Sequence, residues 1–88
     1  MKISKEKQEK ISEQILAQLY SIAPKPAFTS HIAKELARDE EFIKRLLNDL
    51  KEKGLVIEIK KNPTGTPYIL RSRWRLSNIA YKTYSSKQ

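Results

Sequence analysis

The sequence predicts a single α+β domain: three helices, a two-stranded β-hairpin and a short final helix. Three observations predict it. Apolar residues recur at spacings of three and four through the first half of the chain, and after Gly54 the spacing changes to two. All four prolines and both glycines stand between these patterned runs rather than inside them. The chain has 88 residues, and a chain of that size buries only roughly 60–65% of its unfolded surface, which leaves apolar material for one core.

The first run, "SKEKQEKISEQILAQLYSIA", places Ile11, Ile15, Leu16, Leu19, Ile22 and Ala23 on one side of a helix, with Lys and Glu between them. Ser4 is its expected N-cap. "PKP" ends it, because Pro24 and Pro26 lack a backbone donor and push the preceding residue out of the helical region. "AFT" reads as a short strand or extended link. A second helix, "HIAKELAR", is expected to take Thr29 or Ser30 as its cap and to bury Ile32, Ala33 and Leu36. Asp39 caps a third, "EEFIKRLLNDLKEKG", in which Ile43, Leu46, Leu47 and Leu50 form one stripe and Gly54 supplies the stop. Two helices joined this tightly cross steeply, the helix-turn-helix arrangement.

In "LVIEIKK" the alternation assigns Leu55, Ile57 and Ile59 to the inner face of a strand and Val56, Glu58 and Lys60 to the outer. "NPTG" fits a type I turn, and the chain returns as "YILRSRWRL". Leu70, Trp74 and Leu76 then point inward and Arg71, Arg73 and Arg75 outward. Ser77 caps a final helix, "NIAYKTY", and "SSKQ" is expected to fray. The ordered core is read as residues 4–84.

Charge is the strongest functional signal. The net charge is +8, and it is uneven. Residues 1–10 hold four bases against two acids, residues 11–54 seven against seven, and residues 55–88 seven bases against Glu58 alone. A basic excess concentrated on one element points to a polyanionic partner. Cysteine is absent, which excludes disulfides and thiolate metal sites. No apolar run is long enough to span a bilayer, and the charged start "MKISKEKQEK" lacks a signal-peptide core, so a cytoplasmic protein is expected. His31 is the only histidine, no glycine-rich phosphate loop occurs, and spacing brings no nucleophile to a base. Neither an enzyme nor a metal or cofactor site is expected.

The run "IAKELARDEEFIKRLLNDLKEKGLV", with "WRLS" closing the second strand, resembles the winged helix-turn-helix DNA-binding domains of small bacterial and archaeal transcription regulators such as the MarR-like and ArsR-like families. The resemblance extends from about Ser4 to Tyr84. It implies a three-helix core with a C-terminal β-hairpin wing, a third helix that enters the major groove of duplex DNA, and a wing beside the neighbouring phosphates. Helical periodicity turns Glu41, Arg45, Asn48 and Glu52 away from the apolar stripe, with Lys44 and Phe42 on the flanks. Lys44, Arg45 and Asn48 are therefore the expected base-reading residues, since Arg suits guanine and Asn adenine.

Lys60, Lys61, Arg71, Arg73 and Arg75 are the expected phosphate contacts. The bland account makes these an exposed strand face partly neutralised by Glu58. Tyr20, Ile79, Tyr81 and Tyr84 are candidates for a symmetric homodimer. Asp39, Glu40 and Glu41 repel phosphate at the start of the third helix. That acidity, together with Phe42, keeps open a second reading, a protein-interaction module in a larger nucleic-acid-processing assembly. The primary expectation is a sequence-tolerant or modestly specific double-stranded DNA-binding protein acting as a small transcriptional regulator.

Overall fold

The computed structural model describes residues 4–60 and 72–86. The elements follow in the order α1 (Lys5–Ile22), β1 (Ala27–Phe28), α2 (Thr29–Glu35), α3 (Glu40–Glu52), β2 (Val56–Ile59), β3 (Arg73–Leu76) and α4 (Asn78–Ser86). The expected turn at Asn62–Gly65 and the inward Leu70 lie outside the described residues.

The caps of α1, α3 and α4 fall where the polar residues predict. Ser4 accepts from the Lys7 amide, Asp39 from the Phe42 amide and Ser77 from the Ala80 amide. Gly54, at φ +77°, closes α3. The Gly54 amide donates to the Lys51 carbonyl and the Leu55 amide to the Leu50 carbonyl. A Cβ at Gly54 would meet no atom within 4 Å, so the glycine is there for its backbone angle rather than for space. The same pair of bonds ends α2, where the Ala37 amide reaches Lys34 and the Arg38 amide reaches Ala33. There the left-handed position is held by Ala37, at φ +55°. This compact ending leaves only three residues between the α2 cap residue Leu36 and the first turn of α3, which fixes the steep crossing of the two helices.

One core joins all of the elements. Ile11, Ile15 and Leu19 of α1, Ile32 and Ala33 of α2, and Ile43, Leu46, Leu47 and Leu50 of α3 pack with Ala27, Val56, Trp74, Leu76 and Ala80. Trp74 is fully buried and donates its indole N–H to the Thr29 hydroxyl at 2.7 Å. Thr29 therefore does not cap α2 as expected. Phe28 occupies the cap position without a side-chain bond, and the threonine satisfies the one polar atom of the largest core residue instead.

The sheet departs from the expectation in two ways. It has three strands, not two, in the order β1-β3-β2, because Ala27 and Phe28 pair antiparallel with Trp74 and Arg73. The phase of β2 is also the reverse of the alternation reading. Val56 pairs with Leu76, Ile57 with Arg75, Glu58 with Trp74 and Ile59 with Arg73. Directly opposed residues share a face, so Val56 and Glu58 stand on the core side and Ile57 and Ile59 on the outer side. Val56 is buried while Ile57 and Ile59 are half-buried. Leu55 packs against the core from just before the strand. Finally, α4 continues through Ser86 rather than fraying after Tyr84, with Ser85 within hydrogen-bond reach of the Tyr20 hydroxyl.

Candidate nucleic-acid interface

α3 buries Ile43, Leu46, Leu47 and Leu50 and leaves Glu40, Glu41, Lys44, Arg45, Asn48 and Glu52 exposed. The three expected base-reading residues thus stand together on the outward surface of one rigid helix, spaced so that Lys44 and Asn48 lie one turn apart. Phe42 does not join them. It is half-buried and packs against the core, which takes it out of the set of free contact residues.

Lys51 shows which flank of α3 borders the wing. Its ammonium lies 2.9 Å from Glu58 Oε1 on β2. Lys44 precedes Lys51 by seven residues, within about 20° of the same direction on a helix. Lys44 and Lys51 therefore share one flank of α3, and it is at Lys51 that this flank meets β2. Lys60, at the end of β2, is exposed and stands 3.9 Å from the same Glu58 oxygen. Ser72 donates its hydroxyl to Glu58 Oε2. Burial pushes the Glu58 carboxyl upward, but the Ser72 and Lys51 hydrogen bonds and the charges of Lys51 and Lys60 outweigh it, so the group sits below its ordinary value of 4.5.

The sequence reading missed this Lys51–Glu58–Lys60–Ser72 cluster. Its only trace in the sequence is an acid and a base seven residues apart across the helix stop at Gly54, a spacing that belongs to neither helix nor strand periodicity.

Arg73 and Arg75 lie on the outer face of the sheet, opposite the helices, in register with Ile59, Ile57 and Phe28. The Arg73 guanidinium carbon is 5.8 Å from the centre of the Phe28 ring. Arg75 donates to the Leu76 carbonyl at 3.0 Å. Since Glu58 stands on the other face and is engaged by two lysines, it is not the counter-charge of these arginines. Lys61 and Arg71, the other two expected phosphate contacts, lie outside the described residues.

Tyr20, Tyr81 and Tyr84 gather where α1 ends against α4. The Tyr20 ring centre is 5.3 Å from that of Tyr81 and 5.0 Å from that of Tyr84. Ile79 remains 73% exposed and Tyr81 45% exposed.

Three helices, a tight turn before an outward-facing third helix, and an antiparallel wing closing a three-stranded sheet define a winged helix-turn-helix fold. No family model matches the chain, and no curated protein does. Solved structures do match. A point mutant of MepR from a multidrug-resistant S. aureus clinical isolate superposes with a TM-score of 0.71 at 22% identity, over 88% of this chain and 53% of that one. S. aureus MepR in its DNA-binding conformation gives 0.70 at 22%, over 92% and 60%. A protein of Ralstonia eutropha JMP134, provisionally described as DNA-binding, gives 0.67 at 17%, over 89% and 94%. The chain spans little more than half of the MepR chains it matches and nearly all of the R. eutropha one. These likenesses show the winged-helix fold. Among the described residues, no helix is long and apolar enough to cross a membrane.

Proposed function

We propose that this chain binds double-stranded DNA with modest sequence preference and acts as a small transcriptional regulator. The observation that carries the reading is the exposed trio Lys44, Arg45 and Asn48 on the outward face of α3, beside the base of a wing. These side chains match the donor and acceptor patterns of base edges. The acids at the start of α3 stabilise the helix through its dipole and limit how closely phosphates approach that end. Arg73 and Arg75 on β3, with Lys61 and Arg71 near them in the sequence, supply sequence-independent grip. A MepR variant has been solved bound to an oligodeoxyribonucleotide, which supports the reading by likeness of fold.

The experiment is binding of random-sequence duplex across a salt series. Affinity is expected to fall steeply with salt, as it does when lysines and arginines release counterions from DNA. Lys44→Ala combined with Arg45→Ala is expected to weaken binding further and to flatten preference among selected sequences. An absence of binding at low salt removes the DNA reading in favour of a protein partner. The same proposal includes a homodimer across α4, where Ile79 and Tyr81 are exposed. Sedimentation showing only monomer at high micromolar concentration would remove that part.

A further inference from the structure

Glu58 lies in a set of donors that would equally suit a DNA phosphate. Its Oε1 takes the Lys51 ammonium at 2.9 Å and faces the Lys60 ammonium at 3.9 Å, while its Oε2 accepts from Ser72. Two ammonium groups and a hydroxyl around one oxyanion form a general phosphate-binding arrangement. The exposures differ in an informative way. The Lys51 and Lys60 side chains are 46% and 70% exposed, whereas Glu58 is only 9% exposed. The lysines thus stand at the surface along the α3–wing seam, and the carboxylate that engages them lies beneath, fixed to the sheet beside Trp74.

We infer that Glu58 is a specificity-determining residue: an internal counter-ion that withholds Lys51 and Lys60 from backbone phosphate and so lowers the sequence-independent part of DNA affinity. The inference rests on the DNA reading above and deepens it. Sequence-independent affinity scales with the number of phosphates a protein neutralises, and each lysine held by Glu58 is one fewer available for that purpose. The contacts from Lys44, Arg45 and Asn48 then weigh more in the total. A purely architectural role, tying α3 to the wing, predicts the opposite sign, since loss of the tie would loosen the interface and weaken binding.

Glu58→Gln separates the two. It keeps the shape of the side chain and an acceptor for Ser72 but removes the charge. The full chain is titrated with random-sequence duplex over a salt series, and in parallel with heparin as a polyanion that carries no bases. The salt slope on duplex is expected to steepen by about 1–2 units, and low-salt affinity to rise at least about threefold. Adding Lys51→Met to Glu58→Gln is expected to take back about one unit. An unchanged slope or weaker binding by the folded variant overturns the inference. Thermal melting checks the fold, and Glu58→Thr, whose β-branched side chain suits a strand, repeats the measurement should the glutamine variant not fold. If the unaltered chain holds no duplex at low salt, the DNA reading falls by itself. The heparin titration still decides on Glu58, since a released lysine pair must steepen its salt dependence as well.

Discussion

The two faces of the small sheet are made from the same strands and do opposite work. On the inner face Ala27, Trp74, Val56 and Leu76 are buried, and the one polar atom of Trp74 is satisfied by Thr29. On the outer face the same strands present Phe28, Arg73, Arg75, Ile57 and Ile59, all half-buried. The Arg73 guanidinium lies against the Phe28 ring, and Arg75 donates to the Leu76 carbonyl, so the cations line this face of the sheet. β3 is the clearest case, since "RWRL" alternates cation and core residue position by position. Stability and charge are thereby assigned to alternate residues of one strand, so that either can be altered with little effect on the other.

The largest expected effect tests the inner face. Trp74→Ala empties the centre of the core and leaves the Thr29 hydroxyl without its donor. A loss of about 3–5 kcal/mol in chemical denaturation is expected. A loss under about 1 kcal/mol would mean that the fold does not depend on this face. The outer face is tested by Arg73→Ala combined with Arg75→Ala. The salt slope of duplex binding is expected to fall by about 2 units, one for each phosphate contact removed. Stability should fall by no more than about 2 kcal/mol, the scale of a partly desolvated cation–aromatic contact such as that of Arg73 with Phe28. A stability loss near that of Trp74→Ala, with an unchanged slope, would make the outer arginines structural and erase the division between the faces.

How much of this was legible in the sequence follows from how strongly each segment commits its apolar residues to one side. α3 commits fully, and the cap at Asp39, the stripe from Ile43 to Leu50 and the stop at Gly54 all stand as the spacing predicts. β3 also commits, because charged and core residues alternate without exception. "LVIEI" does not. Four of its five residues are aliphatic, so alternation alone leaves its phase open, and placing the single polar residue Glu58 outward selected the wrong one. What fixes the phase is the pairing of Val56 with Leu76 and Glu58 with Trp74, a long-range contact invisible to any local window. The same blind spot hid the cluster around Glu58, whose members come from α3, from β2 and the residue after it, and from the residue just before β3. The shared exposure of Lys44, Arg45 and Asn48 on α3 was legible because it needs only helical periodicity. Thr29 was misassigned because a threonine before a helix looks like a cap, whereas its partner, Trp74, lies 45 residues away.

The smallest expected effect lies at the rim of the inner face, where the two halves of the comparison meet. Glu58 belongs to the core side by register but holds surface lysines, and its carboxyl is kept below its ordinary value of 4.5. A carboxylate whose folded-state value is lowered contributes stability that is fully present above its unfolded value and is lost as pH falls through the folded one. Thermal melts should therefore show a stability loss on acidification below about pH 4.5 that is shallower in Glu58→Gln than in the unaltered chain. Every other carboxylate is common to the two proteins, so the difference between the two curves isolates Glu58. Curves that run parallel would show that Lys51, Lys60 and Ser72 do not stabilise the charged form. The lysines would then be free for phosphate already, and the inner face would hold nothing but the core.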